Sequence, residues 1–163
     1  MSSALEVCAA VIICCGRLLL ATRRPGGYLA GCWEFPGGKV RPAETLADCI
    51  ARELQEELAL TVEQASLLFS CSHAETGRRI CLHFMHCEIP CGQSPLPREG
   101  QQAAWFSAGE LSTLSWVPAD ALAIEHIRCG RWQGPEDPGD DLGLPRLADW
   151  ERTRKLQQWL TSK

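Results

Sequence analysis

The sequence has one Tyr and two Met, and it lacks any apolar run near the ~20 residues that a helix needs to cross a bilayer. No membrane partner is expected. The longest such run, Val7 to Cys15, is short, has no basic segment in front and is followed by Gly16-Arg17, so it reads as a strand and not as a signal peptide. Excess positive charge is missing as well: 16 Lys and Arg stand against 20 Asp and Glu, a formal net charge of −4. That argues against direct nucleic-acid binding and leaves a nucleotide carried with a cation compatible. Cysteine is plentiful, with ten thiols, but no CxxC pair occurs and several thiols fall at inward-looking positions. Buried free thiols in a reducing cytosol are expected, not a disulfide scaffold or a zinc site, which gives a cytoplasmic location. With 163 residues, 45% apolar and 22% charged, the chain is long enough for one domain with a substantial core.

What is present centres on Gly37 to Leu60. Thr45 followed by Asp48 marks a helix start, because a Thr hydroxyl accepts from the first free N–H groups and an acid three residues on reaches back. From Thr45 to about Ala59 there is no Gly or Pro, and Leu46, Ile50, Leu54 and Leu58 form one apolar stripe. Glu53, Glu56 and Glu57 stand at i, i+3 and i+4 and project from adjoining positions. Helix stability does not ask for this, since acids near a C-terminus oppose the macrodipole at roughly a few tenths of a kcal/mol each. A solvated acidic face is the ordinary reading of such residues. Here a Gly-Gly loop precedes the helix, and Arg52, one turn before Glu56, is placed to hold an acid in position. Fixed oxygen ligands with room for water and phosphate are what a hard divalent cation needs.

The flanks read as strands and loops. Leu5 to Cys15 is a central strand, Gly16-Arg17 a turn, and Leu18 to Thr22 the return of a hairpin. Arg23-Arg24-Pro25-Gly26-Gly27 is a basic loop, either a solvated turn or a pair of guanidiniums suited to outer phosphates. Val62 to Ser72 and Arg79 to Ile89 are strands around a turn at Glu75-Thr76-Gly77, where Arg78 either approaches substrate or is solvated. His83 and His86 have no metal-ligand spacing with each other or with a cysteine, so they read as surface or satisfied sheet positions. Pro90 to Gly100 is a loop before the strand-like Ala103 to Phe106. Pro118-Ala119-Asp120 enters a helix carrying Leu122, Ile124 and Ile127, with Asp120 in the role of N-cap. Beyond Gly130, Pro135 to Asp141 is an acidic Pro/Gly loop, and Leu147 to Leu160 has apolar residues at near-helical spacing.

Gly38, five residues, Glu44, seven residues, Arg52-Glu53-Leu54-Gln55-Glu56-Glu57, one residue, and Ala59-Leu60 resembles the Nudix hydrolase signature GX5EX7REUXEEXGU, with U apolar. Every charged position is filled. The departure is Ala59 in place of Gly, which disfavours a left-handed cap and leads to the expectation of a different helix exit. Glu34-Phe35-Pro36-Gly37-Gly38-Lys39 is similar to the segment that precedes the helix in the MutT-like branch, and Glu99-Gly100-Gln101 resembles a segment further along those enzymes.

The resemblance covers about Leu5 to Ile127. It implies an α/β fold, the Nudix α/β/α sandwich with a mixed sheet and a catalytic loop-helix-loop, in residues 1–130. Residues 131–163 are then an extension whose helix packs on the domain or at a dimer contact, so that monomer and homodimer both stay open. Implied metal ligands are the Gly37 carbonyl, Glu53, Glu56, Glu57 and Glu99, holding Mg2+ with Mn2+ as a substitute. Arg52 and Glu44 join the catalytic set, Glu44 as structural partner to Arg52, and Glu56, Glu57 or Glu99 accepts the proton of the attacking water. Implied substrate contacts are Arg23, Phe35, Lys39, Arg78 and Asp120, the last meeting the base. The activity implied is hydrolysis of a nucleoside triphosphate to monophosphate and pyrophosphate, with 8-oxo-dGTP or another modified nucleotide as substrate, or alternatively CTP or 5-methyl-dCTP. A silent nucleotide-binding sensor is the rival reading.

Overall fold

The computed structural model describes residues 4–133 and 144–162. Its first strand, β1 (Leu5–Val11), is covered on both faces from Cys8 onward. Ala9 and Val11 enter one core, while Cys8, Ala10 and, just beyond the strand, Ile12 enter the other. This two-sided burial is why the stretch reads as a continuous apolar run instead of an alternating one. The single strand expected over Leu5 to Cys15 is in fact two. The chain leaves the first sheet after Val11 and joins a second as β2 (Ile13–Cys14), which pairs with β3 (Arg17–Thr22).

After β3 come β4 (Trp33–Glu34), β5 (Gly37–Lys39) and the helix α1 (Leu46–Leu58). The hairpin of β6 (Gln64–Glu75) and β7 (Arg78–Glu88) follows, closed by Thr76 and Gly77 at φ 48° and 77°. Two positive φ values in a two-residue loop match the right-handed twist of the strands. Then come β8 (Ala103–Phe106), a short 3-10 helix at Ala108–Thr113, α2 (Pro118–Arg128), β9 (Arg146–Leu147) and α3 (Trp150–Leu160).

The larger sheet has the order β5-β1-β7-β6-β9, with β1 and β7 parallel and the other pairs antiparallel, so it is mixed. The smaller sheet joins β2, β3, β4 and β8, with β8 paired to β3. Helix α1 covers one core with Cys49, Ile50, Leu54 and Leu58 against Cys8, Ala10 and Met85. Helices α2 and α3 supply Ile124, Ile127, Leu156 and Leu160 to the other core, around Phe35, Phe69 and Phe84. The result is the α/β/α sandwich. Helix α3 is capped by Asp149, which accepts from the Arg152 N–H at 2.9 Å, and the Trp159 indole N–H donates to the Gly16 carbonyl at 2.9 Å. The acidic Pro/Gly segment expected at Pro135 to Asp141 lies outside the described residues. Among those described, no helix is long and apolar enough to cross a membrane. All ten cysteines are free thiols, with Cys8, Cys49, Cys71 and Cys87 buried.

Two helix ends differ from expectation. Ala59 adopts the left-handed conformation after all, at φ 53° and ψ 34°, and its N–H reaches the carbonyls of Gln55 and Leu54. The Leu60 N–H also bonds the Leu54 carbonyl, at 3.2 Å, so the exposed helix carbonyls are satisfied as they would be with glycine. At the other helix, Val117 is the N-cap of α2 and Pro118 opens its first turn. Asp120 is therefore inside the helix, not its cap, and its carboxylate accepts from the Phe35 N–H between β4 and β5.

Candidate active site

Helix α1 begins where the sequence places it. The Thr45 hydroxyl accepts from the Asp48 N–H at 3.1 Å and donates to the Asp48 carboxylate at 2.7 Å. This fixes the rotation of the helix and hence the direction of its acids. Arg52 projects toward the preceding loop and gathers it. Its guanidinium forms a two-pronged contact with Glu44, at 2.6 and 2.9 Å, and donates to Glu53 at 2.6 Å, to Glu56 at 3.3 Å and to the Lys39 carbonyl at 3.1 Å. The planar fork of arginine allows this many bonds from one side chain. Arg52 and the Arg41 N–H hold the Glu44 carboxyl well below the usual range, at about 2.

Glu53 lies flat on β5. A Cβ added at Gly38 would fall 2.4 Å from its carboxyl carbon, and one at Gly37 would fall 2.0 Å from the Cys8 carbonyl oxygen. The Gly-Gly pair thus lets the main chain of β5 sit between β1 and the acids of α1. Glu57 is next, in a half-buried position against Gly37. Burial first, then the charges of Glu53 and Glu34, push its carboxyl up to about 7, while Arg24 and the Gly37 amide pull the other way. Glu56 is half exposed and bonded to Arg52 and, at 3.4 Å, to Arg41.

Beyond the helix, the loop of residues 96–98 is tied to the end of α1, with the Leu96 N–H on the Leu58 carbonyl at 2.8 Å and the Arg98 N–H on the Glu57 carbonyl at 3.2 Å. Glu99 follows at φ 56° and forms an ion pair with Arg24. Gln101 is buried and donates to the Thr22 carbonyl at 3.0 Å, anchoring the loop to β3. Arg24 is thus shared electrostatically between Glu99 and Glu57.

A cavity of about 640 Å³ opens beside Gly37, Gly38 and Lys39, within the size range of small-molecule sites. Leu5, Val7, Ile80 and Leu82 give it an apolar wall, and Arg23, Glu34, Lys39, Glu75 and Asp120 are its charged members. Arg23 is already paired with Glu34, at 3.0 Å. Asp120 is buried, and its Oδ2 accepts from the Phe35 N–H at 2.9 Å. Burial pushes its carboxyl up to about 7, with Glu34 adding to the rise and the Phe35 amide and Arg23 opposing it. Phe35 itself packs edge-on against Phe84 in the core. Arg78 stands at the hairpin tip opposite Glu75, whose neighbours His73 and Ile80 also line the cavity.

The helix acids, the Gly-Gly strand and the cavity are therefore contiguous, while Glu99 joins them through Arg24, and Arg78 is not among the lining residues of the cavity. Sequence reasoning passed over Glu34, whose burial beside Arg23 raises its pKa. The contact depends on the pairing of β3 with β4, which sets Ala21 opposite Glu34 and which the sequence does not mark. The anchoring Gln101 was likewise not singled out, and Arg24, read with Arg23 as one of two guanidiniums suited to phosphates, is paired with Glu99.

This fold and this site define a NUDIX domain, and the family model of that description matches residues 8–126: the chain belongs to the family and is a Nudix hydrolase. It is 36% identical over 134 residues to the CTP pyrophosphohydrolase of Escherichia coli (strain K12), across 82% of this chain and 98% of that protein. It is 32% identical over 111 residues to the 8-oxo-dGTP diphosphatase of the same strain, across 68% of this chain and 85% of that protein. Among solved structures it resembles the MutT NUDIX hydrolase from Burkholderia pseudomallei, with a TM-score of 0.65 and 28% identity, covering 74% of this chain and 95% of that one.

Proposed function

We propose that this chain is a divalent-cation-dependent pyrophosphohydrolase that converts a nucleoside triphosphate to its monophosphate and pyrophosphate. The observation that carries the reading is the placement of the half-buried Glu57 and Glu53 carboxylates on the Gly37-Gly38 strand beside a cavity that also holds Asp120. The donor set fits Mg2+, with Mn2+ as its substitute. It is all oxygen, and Glu57 sits among other acids in a desolvated position whose excess negative charge a hard cation would balance. Glu53, Glu56, Glu57, Glu99 and the Gly37 carbonyl would hold the cation. When bound, it would neutralise phosphate charge and make an attacking water more acidic.

The remaining work falls to the chain. Arg52, clamped by Glu44, fixes Glu53 and Glu56, so the ligand atoms are held before substrate arrives. Arg23 and Lys39, both on the cavity wall, offset phosphate charge. Water attacks, the bond between the first and second phosphates breaks, and the proton goes to Glu56, Glu57 or Glu99. Asp120 addresses the base. With its Oδ2 on the Phe35 amide and its pKa near 7, it can serve as donor through a protonated oxygen or as acceptor when ionised.

An imino hydrogen beside a carbonyl, the edge that 8-oxoguanine presents, suits the protonated form. This supports a modified purine triphosphate such as 8-oxo-dGTP. A cytosine edge, with its amine beside a ring nitrogen, suits it too. The similarity to a CTP pyrophosphohydrolase across nearly all of that protein's length favours CTP or 5-methyl-dCTP as the second reading.

The test is turnover with Mg2+ across 8-oxo-dGTP, 5-methyl-dCTP, CTP, dCTP, dGTP and ADP-ribose, with products identified. Monophosphate plus pyrophosphate from one or two triphosphates is the expected result. Tight nucleotide binding without turnover would overturn the reaction and leave a sensor.

A further inference from the structure

On the larger sheet, a second set of side chains converges that the hydrolytic site does not use. Glu6 of β1 stands in register with Cys81 of β7, and His83 lies two residues further along the same strand. Residues two apart on a strand share a face, so these three project together. Their ligand atoms all lie within 4.8 Å of one another, and His83 Nε2 meets Glu6 Oε2 directly. This face is opposite to that of Val7, Ile80 and Leu82, which wall the cavity.

The third strand backs the set. Ser70 and Ser72 of β6 are in register with His83 and Cys81. The Ser70 hydroxyl is 2.7 Å from His83 Nδ1, and the Ser72 hydroxyl is 3.1 Å from Cys81 Sγ. A hydroxyl on Nδ1 fixes the ring so that Nε2 is the outward nitrogen, and a hydroxyl on sulfur supports a thiolate. Such outer partners are what metal-binding imidazoles and thiolates carry. His83 is 14% exposed and Glu6 45% exposed, so the set is reachable from solvent.

We infer that Glu6, Cys81 and His83 form a Zn2+ site, with solvent completing a tetrahedral shell. One sulfur, one imidazole nitrogen and one carboxylate oxygen suit zinc and not the hard cation of the α1 acids. On binding, the Cys81 thiol gives up its proton to solvent, and His83 keeps its proton on Nδ1, donated to Ser70. Zinc then joins β1 to β7 across the parallel pair whose other face forms the cavity wall.

The experiment is titration of the full chain with Zn2+ against a chromophoric chelator in excess Mg2+, with Co2+ as a spectroscopic stand-in. Expected are one tightly held equivalent and a thiolate-to-cobalt charge-transfer band. Cys81→Ser should abolish the band, and Ser70→Ala should weaken zinc binding at least about tenfold. The double variant Cys14→Ser, Cys15→Ser and the variant Glu57→Gln should retain both signals, which separates this site from other thiols and from the hydrolytic acids. Thermal melts without zinc verify that each variant folds. No zinc uptake by the parent chain, or uptake and a band unchanged in Cys81→Ser, would overturn the assignment and leave a hydrogen-bonded row.

Discussion

Gly38 and Glu53 occupy the same space: a Cβ on Gly38 would lie 2.4, 2.5 and 2.6 Å from the three atoms of the Glu53 carboxyl group. The glycine is required by the acid that lies on it and not by its own backbone angles. Gly38→Ala should therefore push Glu53 off β5 and away from Arg52 while leaving the core intact. The expected outcome is a loss of rate on the order of 10²-fold, comparable to removing one charge-stabilising group. Steady-state kinetics beside a thermal melt will check it. A variant with parental kcat would mean that the position of Glu53 does not matter to the chemistry.

Arg52 reaches Glu44, Glu53, Glu56 and the Lys39 carbonyl from one guanidinium. A lysine keeps the charge but presents a single ammonium, which cannot span these partners. Arg52→Lys should thus lower kcat by about 10-fold or more, and the Glu44 carboxyl should return toward its ordinary value of 4.5. Because Glu44 titrates lower in the folded chain, its contribution to stability is present above 4.5 and lost as pH falls toward about 2. Stability measured against pH in acid should show a shallower decline in Arg52→Lys. The same decline in both proteins would refute the clamp.

Asp120 runs the opposite way. Its folded pKa is raised from 3.8 to about 7, so the protonated form is the one the fold favours. Its contribution is full below 3.8 and is lost as pH rises through about 7. Glu57, raised from 4.5 to about 7, adds slope in the same window. Asp120→Asn should flatten the fall of stability across that window in metal-free protein and, with its fixed amide donor, change the preference among bases. Denaturant midpoints at several pH values will measure the first, and the substrate panel the second. A slope unchanged by the substitution would place the titration elsewhere.

Much of the site was legible because it is local. Thr45, the apolar stripe and the spacing of Arg52, Glu53, Glu56 and Glu57 all lie within one helix, where sequence distance fixes spatial distance. The roles that were hidden depend on contacts between segments far apart in the chain. Asp120 reads as a helix cap from Pro118-Ala119-Asp120, yet it bonds Phe35, a partner 85 residues away. His83 lacks metal-ligand spacing along the chain because Glu6 arrives from another strand, 77 residues earlier. The break of the first strand at Ile12 was equally invisible, since a run buried on both faces carries no mark of where one sheet ends and the next begins.

The exit of α1 is a local feature on which propensity misled. Ala59 takes φ 53° because the Leu54 and Gln55 carbonyls and the buried Leu60 together determine its conformation. An L-residue with a Cβ is strained there by about 1 kcal/mol relative to glycine. Ala59→Gly should raise the melting temperature by a few degrees with kcat unchanged, the lost strain outweighing the extra freedom of glycine in the unfolded chain. A lower melting temperature would show that the entropy term dominates.

Glu57 tests the metal and the chemistry together. Its carboxyl is raised by burial and by the nearby acids Glu53 and Glu34, which is an unfavourable arrangement in the absence of a cation. A cation bound there should stabilise the fold by mass action, so Mg2+ should raise the melting temperature of the parent chain and a chelator should reverse the gain. Glu57→Gln removes one charge from a crowded set. It should melt no lower than the parent without metal, gain less from Mg2+, and lose on the order of 10²-fold in rate. The paired result discriminates between roles that a rate alone would confuse. A fall in rate with an undiminished Mg2+ shift would make Glu57 a proton acceptor and not a ligand, whereas an undiminished rate would remove it from the site altogether.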